Sequence, residues 1–502
     1  MSFLLTKSWP IPDFLFSMKL LEHKNTGEPM STTKADADMI NTGQAFGTSA
    51  YRGYVLFSLL AVYTLNFIDR ALIGVVSEPI IQEFQLTDLE FGFLSGFGFA
   101  LTYTLFGIPI ARYAERFNRV RIIACSVILW SVMTALCGIA GSFLSLLLFR
   151  VGVGIGEAGC TPPANSIIAD YFPPRSRARA IAIYAMGVTL GGALAAAFGG
   201  PIADAFSWRE AFIMLGLPGV VVGLVVLFTV KEPPRGYSDP PGTPQLEKLG
   251  FATTLKRLSG NRSYWINTLA ATIVAFVGYG ISSFQVSFFV RVHELSISDV
   301  ALQLILPISL SAAAGTFGGG FAIEKLSGRF PNAVAWVPGW SLIVSLPLYW
   351  IGFTTDSQSS ALVMLIVAAF LHYTYLGSQY TIAQGVVDVK ARATSIAILL
   401  FVVNLIGYGL GPLFVGAISD MFSASYVSSA AVGIQMTLEL CKGTDTTILA
   451  AGSEAMLEAC RQATGEGIRD ALRYTAMIYG ASGVTYLWLC KHLQKDLLAK
   501  MS

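Results

Sequence analysis

Apolar residues run in blocks of membrane-spanning length along most of this 502-residue chain. They fall at about 54–80, 91–111, 122–141, 144–169, 180–204 and 210–230, then at about 264–290, 300–323, 333–353, 360–387, 393–421 and 470–490. A helical span needs about 20 apolar residues, and the longer blocks fit tilted helices. A membrane barrel would show shorter segments of alternating polarity. The pattern predicts an all-α membrane protein with 12 transmembrane helices.

The blocks divide into two sixes. Between them, residues 231–263 carry Pro233, Pro234, Pro240, Pro241 and Pro244 and read as a flexible joint. The halves echo each other: RARAIAI at 177–183 returns as RATSIAI at 392–398, and AERFNR at 114–119 returns more weakly as IEKLSGR at 323–329. Two matches at equivalent places argue for duplication, hence two pseudo-symmetric six-helix bundles. The expected organisation is an N-terminal tail over 1–53, a first bundle over 54–230, the linker, a second bundle over 264–495 and a short tail over 496–502. Residues 1–50 lack a spanning run and make a poor signal peptide; they read as an amphipathic tail, with Met30 an alternative start. A long loop over 422–469 holds apolar stretches at 428–440 and 448–459 that suggest short helices outside the membrane.

Composition narrows the class further. The chain is 54% hydrophobic and 13% charged, with mean hydropathy +0.62. Soluble domains carry about 25% charged residues. That excludes a soluble enzyme, a nucleic-acid binder and a disordered scaffold. The net charge of +2 matters less than where the charges lie. Loops after even-numbered spans contain Arg112, Arg116, Arg119, Arg121, Arg175, Arg177, Arg179, Lys325, Arg329, Lys390 and Arg392, and the linker adds more. Short odd-numbered loops offer mainly Arg209 and Arg291. The positive-inside rule therefore predicts a multi-pass protein of the plasma or inner membrane with both termini cytoplasmic.

A few charges break the rule that spans are apolar. Asp69 and Arg70 sit near the centre of the first span, and Arg150 and Glu157 lie in the fourth. An ionised side chain at such depth costs about 2.5–3.5 kcal/mol on insertion scales, so these groups should be paired or functional. Arg150 and Glu157 are seven residues apart, so they share one helix face at about 10.5 Å. Counting rise from each helix start puts Asp69 at a depth between them and predicts an Asp69–Arg150 pair. Asp69 and Glu157 are the candidate proton carriers, and Arg70 and Arg150 the candidate partners for an anionic headgroup. The plainer reading is a fixed salt bridge that orients two helices. Residues 154–159 satisfy G-x-G-x-x-G, but with no preceding strand the dinucleotide reading fails. Pairs such as Gly152 and Gly156, Gly187 and Gly191, and Gly407 and Gly411 instead favour close helix contact. Pro162 and Pro163 should bend the fourth helix beyond Glu157.

The second half offers Gln285, His372, Tyr373, Tyr375, Gln379, Tyr380, Asn404 and Tyr408 as candidate cavity lining. Nothing here has the spacing of a metal site, a cofactor motif or a nucleophile–base set, so neither metal, cofactor nor enzymatic activity is expected. Cys441 and Cys460 share the long loop and are either a disulfide pair or two free thiols.

In combination, LNFIDRALIGVV, FNRVRIIACSVILWS, LLLFRVGVGIGEAG, IIADYFPPRSRARAIAIY, KEPPRG and NLIGYGLGPLFVGAISD resemble the Spinster-like branch of the major facilitator superfamily, over about residues 54–495. The resemblance implies an alternating-access transporter of two bundles, with lysolipids and sphingosine 1-phosphate as substrates of eukaryotic members and proton coupling proposed in the branch. It also implies that Asp69, Arg70, Arg150 and Glu157 match the family's charged cluster. The loop after the second span is similar to the superfamily's G-x-x-x-D-R-x-G-R motif, but reads ARYAERFNR, with Ala111, Glu115 and Asn118 in place of glycine, aspartate and glycine. Glu115 and Arg116 survive as an acid–base pair. Glu115 would face the start of the eleventh helix near Arg392 as a cytoplasmic gate, with Glu324 and Lys325 as the second-half copy.

The expected function is a proton-coupled, monomeric transporter of an amphipathic anion, a lysolipid or related lipid phosphate, without nucleic-acid partners. A carrier of small organic anions on the same fold and a membrane receptor or sensor that switches without transport are the rivals.

Overall fold

The computed structural model describes residues 45–239, 251–387, 391–429, 438, 441 and 454–498. Among them, eleven helices are long and apolar enough to cross a membrane. In the first half they are α1 (Ser49–Val75), α2 (Asp88–Ala114), α3 (Arg119–Cys137), α4 (Phe143–Tyr171), α5 (Pro174–Ala205) and α6 (Trp208–Thr229). The second half supplies α7 (Arg262–His293), α8 (Ile297–Ser327), α9 (Ala333–Thr354), α10 (Gln358–Gly385) and α11 (Thr394–Ser428). The remaining expected span lies inside α12 (Glu454–Leu498). Tyr474, Tyr479, Tyr486, Ser482 and Thr485 dilute its hydropathy. It nevertheless packs along α7, α9 and α11, with Ser482 Oγ donating to Ala270 O at 2.8 Å.

Local chemistry starts many of these helices. Thr48, Thr87, Asn118, Ser142, Ser207, Asn261, Ser296 and Ser357 each cap a first turn with a side-chain oxygen. Such a cap satisfies one of the N–H groups that a helix leaves unpaired, and its loss costs about 1 kcal/mol. The glycine pairs act as spacers. A Cβ on Gly156 would stand 2.8 Å from Trp130 N, and one on Gly407 would stand 2.6 Å from the Ala275 Cβ. Small residues thus let backbones approach within each half.

The ends of the bundle differ. One carries the linker between α6 and α7 and is called here the linker end; the other is the far end. A single buried core joins Leu72, Val76, Phe91 and Leu94 of the first half to Phe284, Phe288, Val300 and Ala301 of the second, all towards the far end. A separate core of Val55, Val62, Val127, Trp130 and Ile167 fills the linker-end part of the first half. Across the interface α2 meets α11, α5 meets α8 and α1 meets α7. Each of α2, α5, α8 and α11 contains one π-helical stretch, at Phe93–Phe97, Ala195–Gly199, Ala301–Ile305 and Val403–Tyr408.

Two sequence expectations change. The linker is not a loose joint along its length, because 232–239 is clamped to the first half. Arg119, 1% exposed, donates to Glu232 Oε1 at 2.6 Å, Ser166 Oγ at 2.8 Å, Pro233 O at 2.8 Å and Asp170 Oδ2. Gly236 N and Ser238 Oγ also bond to Asp170. Proline content hid this docking, since its partners lie far away in sequence. The loop expected over 422–469 is also shorter: helix continues to Ser429 and resumes at Glu454. Polar helix that projects beyond the apolar block reads as loop by hydropathy alone. Most of the apolar stretches suggested at 428–440 and 448–459 lie outside the described residues, as do the two tails beyond Phe46's immediate neighbourhood and Leu498.

Candidate functional site

Asp69 and Arg70 are neighbours on α1, so their side chains leave the helix about 100° apart. Asp69 is buried at 2% exposure, while Arg70 turns towards Tyr279 and Tyr408 of the second half with 10% of its side chain exposed. One helix therefore presents a carboxylate to its own bundle and a guanidinium towards the second half.

Arg70 Nε donates to Glu157 Oε2 at 2.7 Å, and the Glu157 side chain is fully enclosed. The guanidinium carbon also lies 4.6 Å from the Tyr103 ring centre, 5.0 Å from Phe99 and 5.2 Å from Phe67. Ring faces attract a cation by about 0.5–2 kcal/mol each, more where water is excluded. Glu157 occupies this place because α4 breaks directly after it. The helix Phe143–Glu157 ends, Ala158–Cys160 turn, and a new helix starts at Thr161 with Pro162 and Pro163 in its first turn.

Arg150 lies deeper, at 0% exposure. Its Nη1 donates to the Asp69 backbone carbonyl at 3.4 Å, and its Nε and Nη2 meet no hydrogen-bond partner among the described residues. Arg150 thus lies against the Asp69 main chain, close enough for its charge to act on the Asp69 carboxylate but without a direct ion pair to it among the described residues, and the ion pair the structure adds is Arg70–Glu157. Depth along the membrane cannot distinguish these pairings, because it ignores the angular direction of each side chain. The four charges are brought together, with Arg70–Glu157 as their direct ion pair.

The second-half candidates separate into groups. Gln285, His372 and Tyr373 line a cavity of about 40 Å³ with Tyr349 and Tyr479. His372 Nδ1 is 3.0 Å from the Tyr349 hydroxyl and 3.4 Å from that of Tyr479, and Tyr375 stacks on its ring. Tyr408 turns to the first half, 5.3 Å from Phe99 and 4.5 Å from Tyr279 between ring centres. Tyr380 is half-buried. Gln379 is buried, with its main-chain carbonyl accepting from Asn267 Nδ2, and Asn404 bonds to Leu400 O of its own helix. Glu115, Arg116, Glu324 and Lys325 are exposed at the linker end, and Arg392 is half-buried there. The structure joins Cys441 and Cys460 in a disulfide with Cα atoms 5.3 Å apart.

Sequence reasoning missed the aromatic box around Arg70 and a charge network at the far end. There Arg291 pairs with Glu78 at 3.0 Å and with Asp88 at 2.9 Å, joining α7 to the first half. Arg209 pairs with Glu83 at 2.6 Å. These are the two arginines that stood out in the odd-numbered loops, and each is neutralised by a carboxylate. That exceptional position was the available signal.

Comparison with known proteins identifies the architecture. The model of the Major Facilitator Superfamily matches residues 59–412. This chain belongs to that superfamily. It is 44% identical to the crystal structure of a bacterial homolog of the human lysosomal transporter Spinster in an inward-facing, unoccupied conformation, with TM-score 0.82, covering 90% of this chain and 99% of the other. It is 27% identical to the zebrafish (Danio rerio) sphingosine-1-phosphate transporter SPNS2, over 73% of this chain and 75% of that protein. An MFS-type efflux pump of Mycolicibacterium smegmatis is 30% identical, over 76% of this chain and 88% of the pump. The protein is therefore a multi-pass, Spinster-like member of this transporter superfamily.

Proposed function

We propose that this major facilitator protein is a proton-coupled secondary transporter of an amphipathic anion, a lysolipid or a lipid phosphate of the sphingosine 1-phosphate kind. The carrying observation is Arg70, a partly exposed cation between the halves, held by one carboxylate and framed by Phe67, Phe99 and Tyr103. A phosphate headgroup arriving at Arg70 competes with Glu157, and a released Glu157 in an enclosed site takes up a proton rather than remain an unpaired charge. The aromatic walls of α1, α2, α7 and α11 accommodate the acyl chain. Asp69, beside Arg150, is the second carrier. The relative that transports sphingosine 1-phosphate supports this substrate class.

In this reading the linker end faces the cytoplasm, both termini lie there, and the described conformation is open inward with the far end closed. Glu115, Arg116, Glu324, Lys325 and Arg392 then gate the linker end once it closes. The protein acts as a monomer in the plasma or inner membrane.

A second reading, a carrier of small organic anions or drugs, is favoured by the likeness to the mycobacterial efflux pump. Proteoliposomes under an imposed pH gradient separate the two. We expect gradient-driven flux of a lysolipid or lipid phosphate that is lost in Arg70→Ala. Flux of hydrophilic anions or drugs alone would favour the second reading. Flux with unchanged pH dependence in both Asp69→Asn and Glu157→Gln would remove these residues from coupling. No flux of any solute in folded protein would leave a receptor or sensor.

A further inference from the structure

Two stretches in the far-end parts of α5 and α11 read alike: GPIADAFS at 200–207 and GAISDMFS at 416–423. Both carry glycine, then aspartate four residues later. Their surroundings match as well. A Cβ on Gly416 would collide with the Asp88 carbonyl in the first turn of α2, and a Cβ on Gly200 would stand 3.1 Å from Ile297 O in the first turn of α8. Each glycine thus seats the opening turn of a helix from the other half.

The aspartates then reach the unpaired amides of that turn. Asp420 Oδ1 accepts from Asp88 N at 3.1 Å, and its Oδ2 accepts from Leu89 N at 3.0 Å. Asp204 Oδ2 accepts from Ser298 N at 2.6 Å. Each helix has its own cap too, but that cap serves a different amide. Thr87 Oγ1 takes Glu90 N and Ser296 Oγ takes Asp299 N, both at 3.0 Å. The first two amides of α2 and the second amide of α8 are therefore left for the carboxylate of the opposite half, where the positive helix end favours it.

We propose that the two G-x-x-x-D stretches form a matched pair of far-end latches, with Asp204 and Asp420 as positioning residues of the conformational cycle that must release α8 and α2 when this end opens. The two seams are unequal. The α2–α11 seam is reinforced by Ser419 Oγ donating to Asp88 Oδ2 and by Arg291 gripping Asp88 and Glu78. On the α5–α8 seam Asp204 is exposed. Asp204 therefore guards the weaker seam, the one that parts first. The proposal rests on alternating access between the halves and assumes nothing about substrate or protons.

The test is a distance across the far end, measured without substrate by double electron–electron resonance. Nitroxides go on Gly141→Cys, in the α3–α4 loop, and on Ser359→Cys, exposed in the first turn of α10, with the exposed Cys125 replaced by Ser. A Cβ on Gly141 meets nothing within 4 Å, so the label is tolerated. Losing a helix cap should raise the wide-distance population about three- to tenfold in Asp204→Ala or Asp420→Ala, and the effects should multiply in the double variant. Asn at either position keeps one acceptor oxygen, so it should shift the population less than Ala does. These milder variants serve as the readout if an Ala variant does not fold. An unchanged distribution in folded variants overturns the proposal. So does a shift towards shorter distances, which would mean that repulsion between Asp420 and Asp88 outweighs the caps.

Discussion

Removing Arg70 separates what its ion pair does for stability from what it does for transport. Arg70→Ala deletes the partner of Glu157, whose side chain is fully enclosed, together with contacts to three aromatic rings. Removing one partner of a buried ion pair costs about 3–5 kcal/mol, because the other is left to stay charged or to take up a proton. Glu157→Gln should cost less, about 1–2 kcal/mol, because the glutamine keeps a carbonyl acceptor and Arg70 retains its rings and its partial exposure. The double variant Arg70→Ala/Glu157→Gln leaves no stranded charge. It should therefore recover about 2 kcal/mol of the loss of Arg70→Ala, a coupling well outside the additivity expected of independent sites. Thermal unfolding of purified protein in detergent, followed by intrinsic tryptophan fluorescence, ranks the four proteins. The expected order of midpoints is wild type, then Glu157→Gln, then the double variant, with Arg70→Ala lowest. Headgroup binding should be absent from both proteins that lack Arg70, however stable they are. An Arg70→Ala midpoint equal to wild type, or a double variant no more stable than Arg70→Ala, would refute the view that Glu157 depends on Arg70 for its charge.

Two further outcomes concern the ends of the bundle. Arg119→Leu removes the cation that Asp170 and Glu232 share, so it should destabilise the first half by about 3 kcal/mol and expose the chain near Glu232 to protease. Cleavage there at the wild-type rate would show that the linker is held without Arg119. Replacing Cys441 and Cys460 with serine opens a cross-link between residues 19 apart, worth about 3 kcal/mol in the chain-entropy account. We expect faster proteolysis around Met456 and an unchanged linker-end core by hydrogen exchange; uniform loss of protection through both halves would contradict a local role.

How much of this was legible beforehand depends on the physics behind each feature. Hydropathy located the helices because burial in lipid demands long apolar runs. It weakened at α12, where Tyr479 and Tyr486 are buried against protein and need no such run. The membrane charges were equally legible, since Asp69, Arg70, Arg150 and Glu157 violate that demand. Their pairing was not, because it turns on a 100° rotation between adjacent residues and on the break of α4 beyond Glu157. The far-end residues were the least visible. Asp88 opens α2, Asp204 lies in the last turn of α5 and Asp420 sits about two turns before the end of α11, and nothing local distinguishes a carboxylate facing water from one seated on another helix. Only the repeat carries that information. Matching GPIAD to GAISD places both aspartates at equivalent points of the two halves, and equivalent points in a duplicated bundle face each other's partners across the same interface. If the latch proposal holds, a duplicated transporter writes its moving contacts twice, and residues that repeat near helix ends, where topology alone does not require them, mark the contacts that open and close.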